Sequence, residues 1–483
     1  MNTAILFDTM SIQQYVFGSN KLKDNLGASD IIENIYLDLK NNPELTTGYI
    51  GGGNALFFTT CETKAKEIVM KFTTNLLHRF PGVSLAVAIK ENFGKDKENY
   101  SHDIKELFKI LAKNKGKYLP VNTIPSHGIT DVCRFSSLSV EVYEKYSDKT
   151  FDFMSSSTAS KRIYQERARN VEKDLLKDDS LKNYCFPDEF EDLGQQKGED
   201  SHIAVVHIDG NGFGEVFRNL ITVDDTEVLS KKIKEVVREA FIYTLTKYVE
   251  YEEFFEKIVD KKSYLNNILP IRPIVLGGDD VTFVCHGKLG IWFAERFMEK
   301  FQMDFTLGDK IIPFSSCAGV AVVKTKYPFY RAYQMAEDLC TSAKKMNKEH
   351  GGNWIDFQLA YSGLGNTLEE IRKLHYYDIK GKSPLFNRPY CVDQNNSFEA
   401  LKVNANLILE TLPKSKIKDL REILTQDIES QKLFIEHLKH QHDEKNGFKA
   451  KFGVSESPKA ILDENPFFDM IELLELYPTN LLK

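Results

Sequence analysis

The stretch Val275-Leu-Gly-Gly-Asp-Asp-Val-Thr-Phe-Val284 decides how this chain is read. Two apolar segments of strand character flank Gly277-Gly278-Asp279-Asp280, which predicts a β-hairpin with a glycine-permitted tight turn. Adjacent carboxylates at a hairpin tip repel each other unless something positive sits on them. A divalent cation that prefers oxygen ligands, Mg²⁺ or Mn²⁺, suits the position. A solvated Asp-Asp turn is the alternative, so the choice depends on what else the chain brings there.

Upstream, His202-Ile-Ala-Val-Val-His-Ile-Asp209 reads as a buried strand ending at Asp209, followed by a loop and a long helical stretch near 226–258. Its apolar residues Val228, Ile233, Val236, Val237 and Phe241 carry helical spacing. Downstream, 289–303 is helical, 314–323 is a strand and 328–346 a helix. The same order occurs earlier: a strand at 3–8 ending in Asp8, helical stretches at 11–17 and 28–40, a glycine hairpin at Tyr49–Phe58, a helix at 62–78, a strand at 83–89 and a helix at 101–113. This is an internal duplication of an α+β unit, with about 25 extra residues before the second hairpin.

A strand–helix–hairpin–helix–strand unit builds a four-stranded antiparallel sheet with helices on one face, the ferredoxin-like arrangement. The predicted fold class is therefore α+β, with two such domains at 1–130 and 201–362. Between them lies a linker or helical insertion at 131–200. Within it, Ser155–Ser157 precede a charged helical stretch at 159–178, and 188–200 reads as an exposed acidic linker. Lys113–Lys117 reads as a loop. Apolar spacing at 363–376, 398–411, 416–440 and 466–482, interrupted by prolines, predicts a helical C-terminal domain over 363–483.

That topology sets the end of the first strand beside the hairpin turn, so Asp209 joins Asp279 and Asp280. Two Mg²⁺ ions would neutralise three converging carboxylates, activate a hydroxyl and stabilise a phosphoryl group in transfer. Gly210-Asn211-Gly212-Phe213-Gly214 follows Asp209, and glycines at a strand-to-helix turn let backbone amides approach a phosphate. The earlier hairpin offers Gly51-Gly52-Gly53-Asn54 in place of Gly-Gly-Asp-Asp. It keeps Asp8 but lacks the other acids, so it either binds a nucleotide without metals or is structural. Lys344 and Lys345 lie on the last helix, where a lysine could reach a triphosphate or end in solvent.

The bulk numbers frame these possibilities. At 483 residues, with 42% hydrophobic and 28% charged residues, the chain is long enough for two to four globular domains. No segment is long and apolar enough to span a bilayer, and the N-terminus does not resemble a signal peptide. Seven scattered cysteines without a Cys-x-x-Cys pair point to reduced thiols in the cytoplasm and away from a zinc ribbon. The net charge of −7 gives no global basic field for nucleic acid. His102-Asp103 lacks the further ligands of a phosphohydrolase site. His437, His440, His442 and Asp443 read as a solvated helix end, and Cys285 and His286 as packing residues.

Taken in order, the strand ending in Asp209-Gly-Asn-Gly-Phe-Gly214, Gly277-Gly-Asp-Asp280, Ser316-Cys-Ala-Gly-Val-Ala321 and Tyr327–Lys344 resemble the second palm domain of the large polymerase–cyclase subunit of type III CRISPR effector complexes. Ile12–Phe17, Ser19–Ser29 and Gly51–Asn54 resemble that subunit's first, degenerate palm. A more distant likeness is to GGDEF cyclases. The resemblance implies two ATP molecules bound between the palms and joined into cyclic oligoadenylates, second messengers of antiviral defence. It implies metal ligation by Asp209, Asp279 and Asp280, close approach of the nucleotide at Gly277 and Gly278, phosphate contact by Lys344, and an acceptor site involving Ser11, Lys21 and Ser29. An N-terminal HD nuclease domain and a four-cysteine zinc element are not recognisable.

The function expected is thus a Mg²⁺- or Mn²⁺-dependent nucleotidyltransferase that makes cyclic or short linear oligoadenylate from ATP and releases pyrophosphate. Gly210, Asn211, Gly212, Phe213, Gly52 and Gly53 join its nucleotide site. The alternatives are an inactive nucleotide-binding or RNA-complex scaffold and a GTP-using cyclic dinucleotide synthase. RNA and CRISPR effector subunits are the partners to consider.

Overall fold

Strand β1 (Thr3–Met10) begins the fold. Ala4, Ile5, Leu6 and Phe7 are all buried, so the strand needs cover on both faces. It lies between β3 (Asn54–Thr59) and β4 (Ser84–Lys90), with β2 (Thr46–Gly51) beyond β3. The strand order is β2-β3-β1-β4, antiparallel throughout. On one face Phe7 meets Phe72 of helix Glu62–Arg79 edge-on, centroids 5.4 Å apart. On the other, Ala4, Leu6, Leu56 and Ala88 pack against Tyr100, Ile104 and Leu107 of helix Tyr100–Lys115.

The second half repeats this plan. Strand β7 (His202–Gly210) lies between β9 (Asp280–His286) and β12 (Ser316–Lys324), and β8 (Ile271–Gly277) completes the hairpin with β9. All these pairings are antiparallel. Helices Val223–Glu250 and Gly290–Phe301 cover one face, where Phe283 meets Phe241 and Phe293. Helix Phe329–His350 covers the other, where His207 meets Tyr333 edge-on. Helices therefore clothe both faces of each sheet, not the one face expected. The cause is the central strands, whose residues are apolar on both sides.

The computed structural model describes residues 2–95, 99–117, 131–147, 150–195, 201–220, 222–360, 367–377, 384–393, 397–441, 448–452, 457, 461–462 and 465–482. Several elements in these stretches differ from the expected ones. The helix ending the first half runs on to Lys115 where a loop was expected at Lys113–Lys117. The 188–200 stretch is not wholly an exposed linker: Phe190 and Leu193 are buried, and Phe190 stacks on Phe329 at 4.8 Å. Residues 196–200 lie outside the described residues, as do His442 and Asp443. Val228 is exposed, although Ile233, Val236, Val237 and Phe241 are buried as expected.

Three further strand groups have no counterpart in the periodicity reading. They are the hairpins β5 (Val142–Ser147) with β6 (Thr150–Met154) and β10 (Met303–Leu307) with β11 (Lys310–Phe314), and the added strands β13 (Trp354–Leu359) and β14 (Tyr390–Cys391). β13 runs parallel to β12 and β14 pairs with β13, making a six-stranded sheet ordered β14-β13-β12-β7-β9-β8. Helices Leu368–His375, Ser397–Thr411, Lys414–Leu424, Ile428–Gln441 and Phe467–Leu476 follow in the C-terminal part. The stretch 416–440 thus divides at a break near Thr425. In the C-terminal part buried Arg388 is held by Asp469 and Glu472. Among the described residues no helix is long and apolar enough to cross a membrane, and no disulfide joins any of the seven cysteines.

Candidate functional site

Register places the acids. Asp209, at the end of β7, lies opposite Asp280, the first residue of β9. Gly277 pairs with Asp280, so Gly278 and Asp279 are the two central residues of the turn. Only Gly278 has a positive φ, +65°, the pattern of a type II′ hairpin turn, which leaves the second position free to carry a side chain. Gly210 closes the corner. Its amide donates to the Asp279 carbonyl at 3.2 Å, and a Cβ on it would stand 2.9 Å from the Asp279 Cβ.

Lys344 reaches Asp209 from helix Phe329–His350. Burial works against its ammonium, but Asp209's charge and hydrogen bond outweigh this and hold its pKa above the usual lysine value. One lysine does not balance three carboxylates. Burial, and then the Asp209 charge, push both Asp279 and Asp280 up to about 7. Asp280 Oδ1 is buried without a hydrogen-bond partner. This set of hard oxygen donors fits a small divalent cation.

The first half mirrors the arrangement with different charge. Asp8 pairs in register with Asn54, and Lys115 at the end of helix Tyr100–Lys115 meets Asp8. One lysine here faces one carboxylate, and no excess charge is left for a metal. The turn residues Gly52 and Gly53 both have positive φ, +58° and +76°, the type I′ pattern.

The two hairpin tips face each other. A Cβ on Gly278 would lie 3.8 Å from the Gly52 nitrogen. Beside this contact opens a cleft of about 800 Å³, shared by both halves. Gly52, Gly278, Asp279 and Phe213 line it, with Tyr49, Tyr100 and Phe108 as apolar walls and Lys105, Lys109 and Arg218 as its cations. Such a cleft is concave and mainly apolar with a few charged groups, as small-molecule sites are.

The sequence of this half carries a family signature. Residues 202–351 match the family model described as Cas10/Cmr2, second palm domain. The carboxylate corner lies inside that match. Among solved structures the chain is similar to a Csm1–Csm4 cassette in complex with cA4, with TM-score 0.56, 13% identity, and 98% of this chain and 69% of that chain covered. The cassette in complex with AMPPNP gives TM-score 0.55 at 13% identity, with 98% and 69% covered. Csm1 in T. onnurineus gives 0.54 at 13%, with 98% and 69% covered. These likenesses speak to the fold. No curated protein matches the chain.

In the second half of the chain the structure brings Asp209, Asp279, Asp280, Gly210, Gly277, Gly278 and Lys344 together. Asn211 turns away, its amide nitrogen donating to Ser315 Oγ at 3.0 Å and to the Gly352 carbonyl at 3.4 Å. Gly212, with φ +75°, caps the short helix Phe213–Arg218. In the first half, the Gly53 carbonyl is taken by the Thr9 amide and the Tyr36 hydroxyl. Ser11 and Lys21 cap helices Ile12–Phe17 and Leu22–Asn34 and are exposed. Ser29 lies in a separate crevice with Glu33, Pro273 and Leu276. None of these three lines the shared cleft.

The sequence reading overlooked several residues here. Lys105, Lys109 and Arg218 carried no signal beyond their helical faces, and Lys115 read as part of a loop. His207 carried one: it is polar within an otherwise apolar strand, two positions before Asp209 and hence on the same face. The His102, Asp103 and Glu106 side chains also converge. Lys90 sits there already, 2.6 Å from Glu106 and 3.5 Å from Asp103, in the place a metal would take.

Proposed function

We propose that the chain is a Mg²⁺- or Mn²⁺-dependent nucleotidyltransferase built from two ferredoxin-like palms, 1–130 and 201–362, with an insertion at 131–200 and a helical domain at 363–483. Its substrate is ATP. It forms 3′–5′ linkages, releases pyrophosphate and yields cyclic or short linear oligoadenylate, a signal of antiviral defence. The observation that carries this reading is the gathering of Asp209, Asp279 and Asp280 at one corner with a single lysine, paired to Asp209, at a hairpin tip whose counterpart carries no acid and faces it beside a shared cleft.

Asp209, Asp279 and Asp280 would hold the metal. When bound, a divalent cation neutralises charge on a transferring phosphoryl group and favours the attacking hydroxylate. Lys344 fixes Asp209 and lends a positive charge beside it. On the other side Asp8 is already matched by Lys115, so the phosphates of the second nucleotide fall to Lys105, Lys109 and Arg218. Tyr49, Tyr100 and Phe108 offer its base an apolar wall. Two nucleotides held across the glycine tips gain a large effective molarity. Csm1–Csm4 cassettes in complex with AMPPNP and with cA4 support ATP as substrate and a cyclic product. They also support a Csm4-like subunit as partner.

Labelled ATP incubated with the purified chain and Mn²⁺, with and without RNA, tests the proposal. Pyrophosphate and an oligoadenylate are expected, and both vanish when Asp279 and Asp280 are replaced by Ala. ATP binding without pyrophosphate would leave a scaffold; product from GTP alone would make it a cyclic dinucleotide synthase.

A further inference from the structure

His207 stands two residues before Asp209 on β7, opposite Thr282 of β9 and diagonal to Asp280. Its ring is 5% exposed. Nδ1 lies 3.2 Å from Thr282 Oγ1 and 3.4 Å from Asp280 Oδ1. The ring is wedged edge-on against Tyr333, centroids 5.5 Å apart, which in turn stacks on Phe17. Asp280 Oδ1 is left without a hydrogen bond in this structure; the His207 nitrogen is near enough but not aligned with it, its hydrogen bond here being the one to Thr282 Oγ1. Carboxylates that ligate metals are themselves oriented by hydrogen bonds from a surrounding layer of residues, and losing such a partner typically weakens metal binding about 10–100-fold.

We propose that His207 is a positioning residue for Asp280: Nδ1 donates to Oδ1 and so aims the other carboxylate oxygen at the cation. Thr282 and Tyr333 fix the ring so that this nitrogen faces the acid. The inference rests on the reading of the carboxylate corner as a cation site.

Mn²⁺ titration of the full chain, followed by electron paramagnetic resonance without nucleotide, separates the two. Wild type is expected to bind and Asp280→Asn to lose binding. His207→Phe keeps the ring against Tyr333 but lacks the donor, and should weaken Mn²⁺ about 10–100-fold with little change in melting temperature. His207→Asn, whose amide nitrogen falls near the Nδ1 position, should restore affinity to within about threefold, whereas His207→Gln, which reaches towards Nε2, should not. The Asn and Gln pair alone decides the matter if the Phe variant fails to fold. If Asp280→Asn loses Mn²⁺ while the Phe and Gln variants bind like wild type, His207 does not position the acid. If wild type does not bind, or Asp280→Asn binds equally well, the cation site itself falls and this inference with it.

Discussion

Phe17 lies nearly parallel to Tyr333, their ring centroids 3.9 Å apart and their planes inclined at 24°. One ring belongs to the first half of the chain and the other to the helix that carries Lys344. Both are buried, so the stack is part of the seam on which the two hairpins depend. Phe17→Ala removes the ring and leaves a cavity, at an expected cost of about 3–5 kcal/mol. Urea unfolding measures this as a lower midpoint at unchanged slope. A loss below about 0.5 kcal/mol, the range of an unconstrained surface change, would contradict a packed seam.

Gly278 and Gly277 should respond differently to alanine. At Gly278 the neighbouring atoms leave room, the nearest being 3.8 Å from an added Cβ, but φ is +65°. A left-handed alanine costs about 1–2 kcal/mol, and the turn can relieve it only by moving Asp279. Gly277 has no positive φ and its nearest neighbour is 3.6 Å away. Gly278→Ala is therefore expected to lower both melting temperature and nucleotidyl transfer, and Gly277→Ala to change stability little. Equal behaviour of the two variants would count against the described turn.

The acids predict a pH dependence with a definite sign. Asp279 and Asp280 rise from 3.8 to about 7 in the folded chain, by burial and the Asp209 charge. The folded state then binds more protons than the unfolded one between about pH 4 and 7, and the metal-free protein loses stability as pH rises through that window. A cation binds the ionised carboxylates, so Mn²⁺ should raise the melting temperature clearly at pH 8 and little at pH 5. Differential scanning fluorimetry at both pH values, with Asp279→Asn and Asp280→Asn as flattened controls, checks this. A Mn²⁺ effect that is larger at pH 5 would reverse the argument.

Lys105 and Lys109 line the cleft on the side where Lys115 already matches Asp8. Replacing both by Ala should weaken ATP binding about tenfold or more, the loss expected for charge-assisted contacts. Mn²⁺ binding without nucleotide should stay unchanged. Calorimetry with each ligand separates these outcomes, and an unaltered ATP affinity would remove the two lysines from the phosphate site.

Much of this arrangement was legible because it rests on local patterns. Apolar runs ending at Asp8 and Asp209, and glycine pairs between strand-like segments, specify hairpins and registers within short distances of the chain. Less legible were contacts decided by tertiary packing. Lys115 resembled a loop residue until helix Tyr100–Lys115 carried it onto Asp8. Strand β13 and the two-residue β14 have too little periodicity of their own and exist as additions to an edge already formed by β12. Ser29 sits on a helix whose neighbours include Pro273 and Leu276, a relationship without a trace in spacing. The buried aromatic Phe190 was hidden by the acidic residues around it.

The two glycine turns differ in backbone as well as in side chains. At Gly53 φ is +76°, and a Cβ there would collide with Ile12 Cδ1 at 2.3 Å. An aspartate at this position would have to take a positive φ and push the end of the Ile12 side chain aside. The difference between the two turns is therefore one of main chain as well as of side chain. Exchanging Asp279 for glycine removes one of three acids in a single step, whereas matching the acidic corner in the other half needs acids at both Gly53 and Asn54 and a turn that carries a side chain at positive φ.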